Sequence, residues 1–128
     1  MEVIIFPDVE SLLVKYLNGA LPEPVVKTVP NPRPPAFVKI SRTGGQTTNL
    51  VVDEPLITYE AYGATPQAAH ELAQRVRAYI RAVDMVDGVQ FYGPINPSGP
   101  TNLPDPDTNQ ARYTGLVSLG VRGVAVDA

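Results

Sequence analysis

One amphipathic helix, predicted between Thr65 and Val83, constrains the fold of this chain more than any other segment. Thr65 is a suitable N-cap, and Pro66 fits the first helical position, where its missing N–H is not needed. At 100° per residue the apolar side chains gather on one side, which consists of Ala69, Leu72, Ala73, Val76, Tyr79, Ile80 and Val83. The opposite row is formed by His70, Gln74, Arg77 and Arg81. Because the segments on both sides of this helix have strand-like patterns, we expect its apolar side to pack on a sheet.

The segments around this helix predict the strands of that sheet. Residues 37–42 and 55–63 alternate between apolar and polar side chains, which indicates an antiparallel pair before the helix. After the helix, 89–92 predicts a short strand, and 112–126 predicts a longer one that its glycines would bend or bulge. The step from the second strand through the helix to 89–92 would make one crossover connection.

An earlier helix is predicted over 9–17, capped by Asp8 and stopped by Asn18-Gly19. The proline-rich stretch 21–35 restricts any strand near Val25 to a sheet edge, or forms an extended connector. This order of elements predicts a single α+β domain over residues 1–128, with a mostly antiparallel sheet of four to five strands covered by two helices.

Two stretches between the predicted strands carry no regular period, and we expect long loops near 43–54 and 94–110. The second stretch is dominated by proline, glycine and asparagine, which favour turns. Loops of this length inside a small domain are often functional, so we predict that both are contact arms. The candidate contact residues on them are Gly44, Gly45, Gln46, Asn96, Asn102 and Asp105.

The composition removes several kinds of chemistry. Because the 128 residues include no cysteine and one histidine, the chain can form no disulfide, cysteine nucleophile, cysteine metal site or histidine-rich metal site. No GxSxG, GxxxxGK[ST] or GxGxxG motif occurs, so neither a serine hydrolase nor a phosphate-binding loop is indicated. We therefore expect no enzymatic activity, no cofactor and no metal.

The net charge and the lack of long apolar segments limit which partners and which location are expected. A formal charge of −3 does not favour a protein that holds nucleic acid by its overall charge. No segment approaches the roughly 20 apolar residues of a membrane span, and the first ten residues do not resemble a signal peptide. We expect a cytosolic product with no membrane contact.

Arg77 and Arg81 lie four residues apart on one helix face and repel each other unless an acid or a phosphate lies opposite. Three interpretations are open: a solvated helix face, an interface with an acidic partner surface, and direct contact with DNA. The second makes His70, Gln74, Arg77 and Arg81 a candidate subunit interface.

The order of the segments and their residue patterns, taken over the whole chain, resemble those of a known protein family. The segments on which this resemblance rests are, in order, IIFPDVESLLVKYLNG, VVKTVPNPRPPAFVKISRTGG, PLITYEAYGATPQAAHELAQRVRAYI and ARYTGLVSLGVRGV. Together they resemble tail terminator (tail completion) proteins of long-tailed bacteriophages, particularly those that infect actinobacteria. The resemblance covers nearly the whole chain and rests on pattern and order, because the family has no catalytic signature.

The resemblance implies a structural virion protein that forms a homo-hexameric ring at the head-proximal end of the tail tube. The ring would end tube polymerisation and provide the surface for head-tail joining, so the implied partners are the tail tube protein and a head-tail connector protein. It would be assembled in the host cytoplasm and carry no cofactor. Six copies at −3 each would give the ring a charge of −18, which favours a lumen that DNA passes without sequence-specific binding. Two alternatives are another head-tail connector (neck) component and a small non-phage protein-binding module.

Overall fold

The computed structural model describes residues 2–126, and these form two helices and eight strands. In chain order the elements are β1 (Ile4–Ile5), α1 (Val9–Ala20), β2 (Val25–Val26), β3 (Phe37–Thr47), β4 (Val52–Gly63), α2 (Pro66–Ala82), β5 (Met85–Val86), β6 (Val89–Asn102), β7 (Ala111–Arg122) and β8 (Val124–Ala125).

Six of the strands form one sheet in the order β2-β3-β4-β7-β6-β5, and β1 pairs with β8 in a separate two-stranded sheet. Every pairing is antiparallel except that of β2 with β3. The predicted α+β class with a mostly antiparallel sheet and two helices is therefore confirmed. The prediction of four to five strands was too low, because β1, β5 and β8 have two residues each and are too short to show a period.

Helix α2 crosses the helix-bearing face of the sheet, as its apolar side predicts. The Thr65 hydroxyl accepts the backbone N–H of Ala68 at 3.1 Å, which confirms the predicted cap. The buried residues of α2 are Ala69, Leu72, Ala73, Val76 and Ile80. Tyr79 was expected on this buried side, but its side chain is exposed, and its backbone oxygen accepts the hydroxyl of Tyr16 on α1 at 2.7 Å. The crossover is also present: α2 connects β4 to β6, with β7 lying between these two strands.

Helix α1 runs three residues past the predicted end at Leu17. Asn18 does not stop it, because its side chain points away and bonds both the N–H and the C=O of Val25 at 2.9 Å. The helix buries Val9, Leu13 and Leu17 in the common core. Near its start, the carboxylate of Glu10 accepts the backbone N–H of Arg42 at 2.6 Å and so covers part of the outer edge of β3.

The stretch 43–54, which we expected to be a long loop, is mostly a β-hairpin. β3 continues to Thr47 and β4 starts at Val52, so only 48–51 connect them. A register shift between Arg42 and Gly44 takes up the irregularity, and Gly45 lies against the backbone of β4, where a side chain would overlap Glu54. Glycine therefore lets this polar stretch pair closely with β4. The sequence did not predict this pairing, because the stretch shows no regular alternation of apolar and polar residues.

The stretch 94–110 also differs from the expected loop, because β6 continues to Asn102 and leaves a loop of 103–110. The pairing of β6 with β7 shifts register three times, between Tyr92 and Ile95, between Ile95 and Ser98, and between Ser98 and Thr101. Each interval contains one proline, at 94, 97 and 100. A proline cannot donate to the ladder, so the strand is irregular and its period is hidden in the sequence.

Neither helix within residues 2–126 has the length and apolar character needed to cross a membrane.

Candidate functional site

The polar row of α2 runs beside β7 and β6, with His70 and Arg81 exposed and Gln74 and Arg77 half-buried. The imidazole ring of His70 lies edge-on to the ring of Tyr113 on β7, with 5.1 Å between the ring centroids. The side-chain nitrogens of Gln74 and His70 are 3.3 Å apart. One turn further on, Arg77 and Arg81 line a pocket between the helix and β6. The four predicted interface residues therefore form two halves, one beside Tyr113 and one at this pocket.

This pocket, called here the α2–β6 pocket, has a volume of about 280 Å³. Its walls combine guanidinium groups with apolar and aromatic side chains. The lining residues are Tyr59, Arg77, Ile80, Arg81, Pro94, Pro97, Leu116 and Val117. An enclosure of mixed apolar and cationic character suits a group with an apolar body and a negative end.

Tyr59 adds a phenol hydroxyl to the pocket lining. The residue is only 3% exposed and lies directly over Gly115 on β7, where a methyl group would overlap the phenol ring. Burial raises the pKa of Tyr59, and the positive charge of Arg77 partly opposes that shift. The hydroxyl is therefore a neutral donor at pH 7, and we find no side-chain hydrogen bond of Tyr59 within residues 2–126.

The α2–β6 pocket is positively charged, because its two arginines are not among the cationic side chains that form ion pairs. Seven of the ten lysine and arginine side chains lie within 4.0 Å of a carboxylate, namely Lys15, Lys27, Arg33, Lys39, Arg42, Arg75 and Arg112. Within residues 2–126 the other three are Arg77, Arg81 and Arg122. Two of these three meet at one pocket of a chain whose net charge is −3.

Three of the predicted contact residues come together at the hairpin side of the sheet. Gly45 and Gln46 of β3 line a shallow depression with Asn96 of β6, so the two expected contact segments do approach each other. The Gln46 amide donates to the carboxylate of Glu54 at 2.7 Å, and Gly44 lies beside them at the register shift. Asn102 lies apart from this group, because it pairs with Tyr113, whereas the strand near Asn96 pairs with Ser118.

The structure gives Asp105 a different role from the predicted contact. The residue is only 6% exposed, and its carboxylate accepts Arg33 Nη1 at 2.8 Å and the N–H of Asp107 at 2.8 Å. The hydrogen bond from Arg33 is the main reason that the pKa of Asp105 falls from 3.8 to about 2. Asp105 is thus an internal anchor of the 103–110 loop, and its carboxylate is engaged by groups of its own subunit.

Arg33 extends this anchor to a pair of stacked aromatic rings on the sheet. Its guanidinium lies 5.9 Å from the ring centroid of Phe37 and 5.5 Å from that of Tyr62, and the two rings stack at 4.2 Å. Arg112 covers Tyr62 from a second direction at 5.9 Å. This cluster fixes the 103–110 loop to the proline-rich connector before β3.

Sequence reasoning missed Tyr59, Pro94 and Pro97 as pocket residues and Arg33 as a loop anchor. The turn at Asp105 had a local signal, because Asp followed by Pro-Asp-Thr is typical of a side chain that binds backbone N–H groups two and three residues on. Tyr59 had none, since its place over Gly115 depends on the pairing of β4 with β7.

Residues 2–126 contain no group of three or more histidine, aspartate or glutamate side chains placed to hold a metal ion. No model of a known protein family matches the chain, and no curated protein sequence matches it. The fold, the α2–β6 pocket and the resemblance described above are therefore the grounds on which its function is inferred.

Proposed function

We propose that the protein is a structural subunit that forms a ring at the head-proximal end of a phage tail tube, ends tube polymerisation and offers a surface for head-tail joining. The proposal begins from the resemblance to tail terminator proteins. The fold is an α+β domain in which both helices share one core with a mostly antiparallel sheet, as the order of the sequence segments predicts.

The observation that supports self-assembly most directly is the α2–β6 pocket. Arg77 and Arg81 stand together there without a carboxylate partner among residues 2–126, beside Tyr59, which also lines the pocket. A pocket of this kind gains most from an acidic group that displaces its water, because a charge-assisted hydrogen bond is strengthened by burial. A neighbouring subunit is one source of such a group.

The candidate contact residues suggest how two different partners would be met. Gly45, Gln46 and Asn96 lie on one part of the sheet, and Asn102 lies further along β6 in the direction of the 103–110 loop. We propose that these two regions face the tail tube protein and the head-tail connector protein. Each copy carries a net charge of −3, and we propose that a ring of such subunits lets DNA pass without specific binding.

Light scattering over a concentration series, with negative-stain imaging of the same samples, tests the proposal. We expect closed rings of six copies at high concentration, or rings that form when the tail tube protein from the same genome is present. A protein that stays monomeric under both conditions and does not limit tube length is not a tail terminator. The position of the ring in assembled virions separates a terminator from a neck component, and capture of a partner from phage-free lysate would favour the binding module.

Reversing the charge at Arg81 should weaken ring formation and leave the fold intact. Arg81 is exposed, and within residues 2–126 it has no ion-pair partner, so Arg81→Glu removes no internal contact of that kind. We expect a loss of about 1–3 kcal/mol in association, as for an interface hot spot, with a nearly unchanged melting temperature. Sedimentation velocity measures the first quantity and circular dichroism the second.

Arg122→Glu is the matched control for Arg81→Glu. It makes the same charge change at another exposed arginine that has no ion pair within residues 2–126 and lies outside the α2–β6 pocket. Rings of normal stability in Arg81→Glu, or equal losses in both variants, would remove Arg81 from the subunit interface.

A further inference from the structure

The α2–β6 pocket sets chemical conditions for whatever fills it. It offers two guanidinium groups and a phenol hydroxyl, all of which donate hydrogen bonds, and its other walls are aliphatic or proline rings. A carboxylate carried on a short side chain with an apolar neighbour satisfies both parts. A bare cation or a wholly apolar group satisfies neither.

Among residues 2–126, few carboxylates are free to play this part. Six acids form ion pairs, namely Asp8, Glu23, Asp53, Glu60, Asp87 and Asp105. Four more accept hydrogen bonds from other groups, namely Glu10, Glu54, Glu71 and Asp84. Within residues 2–126 this leaves Glu2 and Asp107 with neither kind of side-chain partner.

Of these two, Asp107 is held in a form suited to binding. Its own N–H is bonded to the carboxylate of Asp105 at 2.8 Å, and the N–H of Asn109 is bonded to the Asp105 carbonyl at 2.8 Å. The loop beneath is fixed by the ion pair with Arg33, while Asp107 and the preceding Pro106 are exposed. A carboxylate on an already ordered loop loses little conformational entropy on binding.

The donor loop and the acceptor pocket lie on different surfaces of one subunit, since no residue of the 103–110 loop lines the α2–β6 pocket. A contact between them therefore requires two copies. Because the two surfaces differ, the contact is head-to-tail, which is the kind that closes into a ring when the rotation between copies allows it.

We propose that Asp107 of one copy enters the α2–β6 pocket of the next and binds Arg77, Arg81 and the Tyr59 hydroxyl, with Pro106 against the apolar wall. This inference rests on the proposed ring and names the contact that holds neighbouring subunits together. It accounts for the meeting of two unneutralised arginines at one pocket and for the rigid display of a carboxylate elsewhere on the same chain.

Charge reversal on each side, followed by mixing, tests this pairing. Asp107→Arg and Arg81→Glu should each raise the concentration needed for half-assembly at least tenfold. An equal mixture of the two should assemble at a lower concentration than either variant alone, because the two variants can alternate around the ring. The cation introduced at position 107 of the first variant then meets the carboxylate introduced at position 81 of the second, beside the Arg77 that remains, and the next contact joins an unaltered loop to an unaltered pocket. Light scattering on both variants and on the mixture, with melting curves to verify folding, supplies the measurement.

Glu71→Arg is the control, because it changes the charge of the subunit by the same amount as Asp107→Arg at an exposed α2 position outside the pocket. It should assemble like the unaltered protein. If Asp107→Arg also assembles normally, or the mixture stays unassembled, the pairing is wrong and the ring proposal survives. If the unaltered protein forms no ring, alone or with tail tubes, both proposals fall.

Discussion

Replacing Leu72 by alanine is expected to lower the free energy of unfolding by about 2–5 kcal/mol, the range for emptying a leucine site in a packed core. Leu72 is 1% exposed and belongs to the cluster that joins α2 to β3, β4 and β7. The loss would include the transfer of the missing methyl and methylene groups and the cavity left under the helix. Urea unfolding followed by circular dichroism measures it.

Leu50→Ala is the matched control, since Leu50 lies between β3 and β4 and is 87% exposed. The same atoms are removed from a position that buries almost nothing, so we expect a change below about 0.5 kcal/mol. Equal effects at Leu50 and Leu72 would mean that α2 does not pack on the sheet as described.

The second large effect is expected at Asp105. Asp105→Ala removes the carboxylate that pairs with Arg33 and holds the N–H groups of Asp107 and Thr108. We expect a loss of about 2–3 kcal/mol at pH 7, because hydrogen bonds to a charged group are lost and the 103–110 loop loses its anchor. Denaturant unfolding at pH 7 gives the value.

The pH dependence of this loss follows from the pKa of Asp105, which is about 2 in the folded protein against an ordinary value of 3.8. A lowered pKa means that the carboxylate stabilises the fold above the unfolded pKa and loses this effect as the pH falls through the folded pKa. The difference in stability between the unaltered protein and Asp105→Ala should therefore be full above pH ~5 and shrink between about pH 4 and pH 2. A difference that stays constant over this range would show that the Asp105 carboxylate does not carry the charge described here.

Asp107→Ala separates anchoring from binding. Asp107 is exposed and, within residues 2–126, its carboxylate has no side-chain partner, so its removal should change stability by less than about 0.5 kcal/mol. Replacement of Asp105 should therefore reduce the stability of the fold, whereas replacement of Asp107 should reduce assembly.

The sequence predicts those parts of the fold in which local preference and burial agree. Thr65 and Pro66 mark the start of α2, and the spacing of Leu72, Val76 and Ile80 identifies its buried side. The alternation in 55–63 likewise identifies a strand with one face in the core. In these segments a single period continues long enough to be recognised.

Prediction failed where glycine and proline occur inside strands. Gly44 and Gly45 belong to β3, and the prolines of 94–102 belong to β6, although both kinds of residue are typical of loops. The pairing partner decides their conformation, and the local sequence does not contain it. The same holds for the α2–β6 pocket, since Tyr59 and Arg77 are brought beside Pro94 and Pro97 only when β6 takes its place at the sheet.

The prolines of β6 have one more consequence, which concerns solubility. Outside the two residues that pair with β5, β6 is the last strand on its side of the six-stranded sheet. A free strand edge is a template on which other chains add and aggregate into fibrils, and proline at regular intervals breaks the row of N–H donors that such growth requires. Pro94, Pro97 and Pro100 therefore make this edge a poor template for the addition of a strand from another molecule.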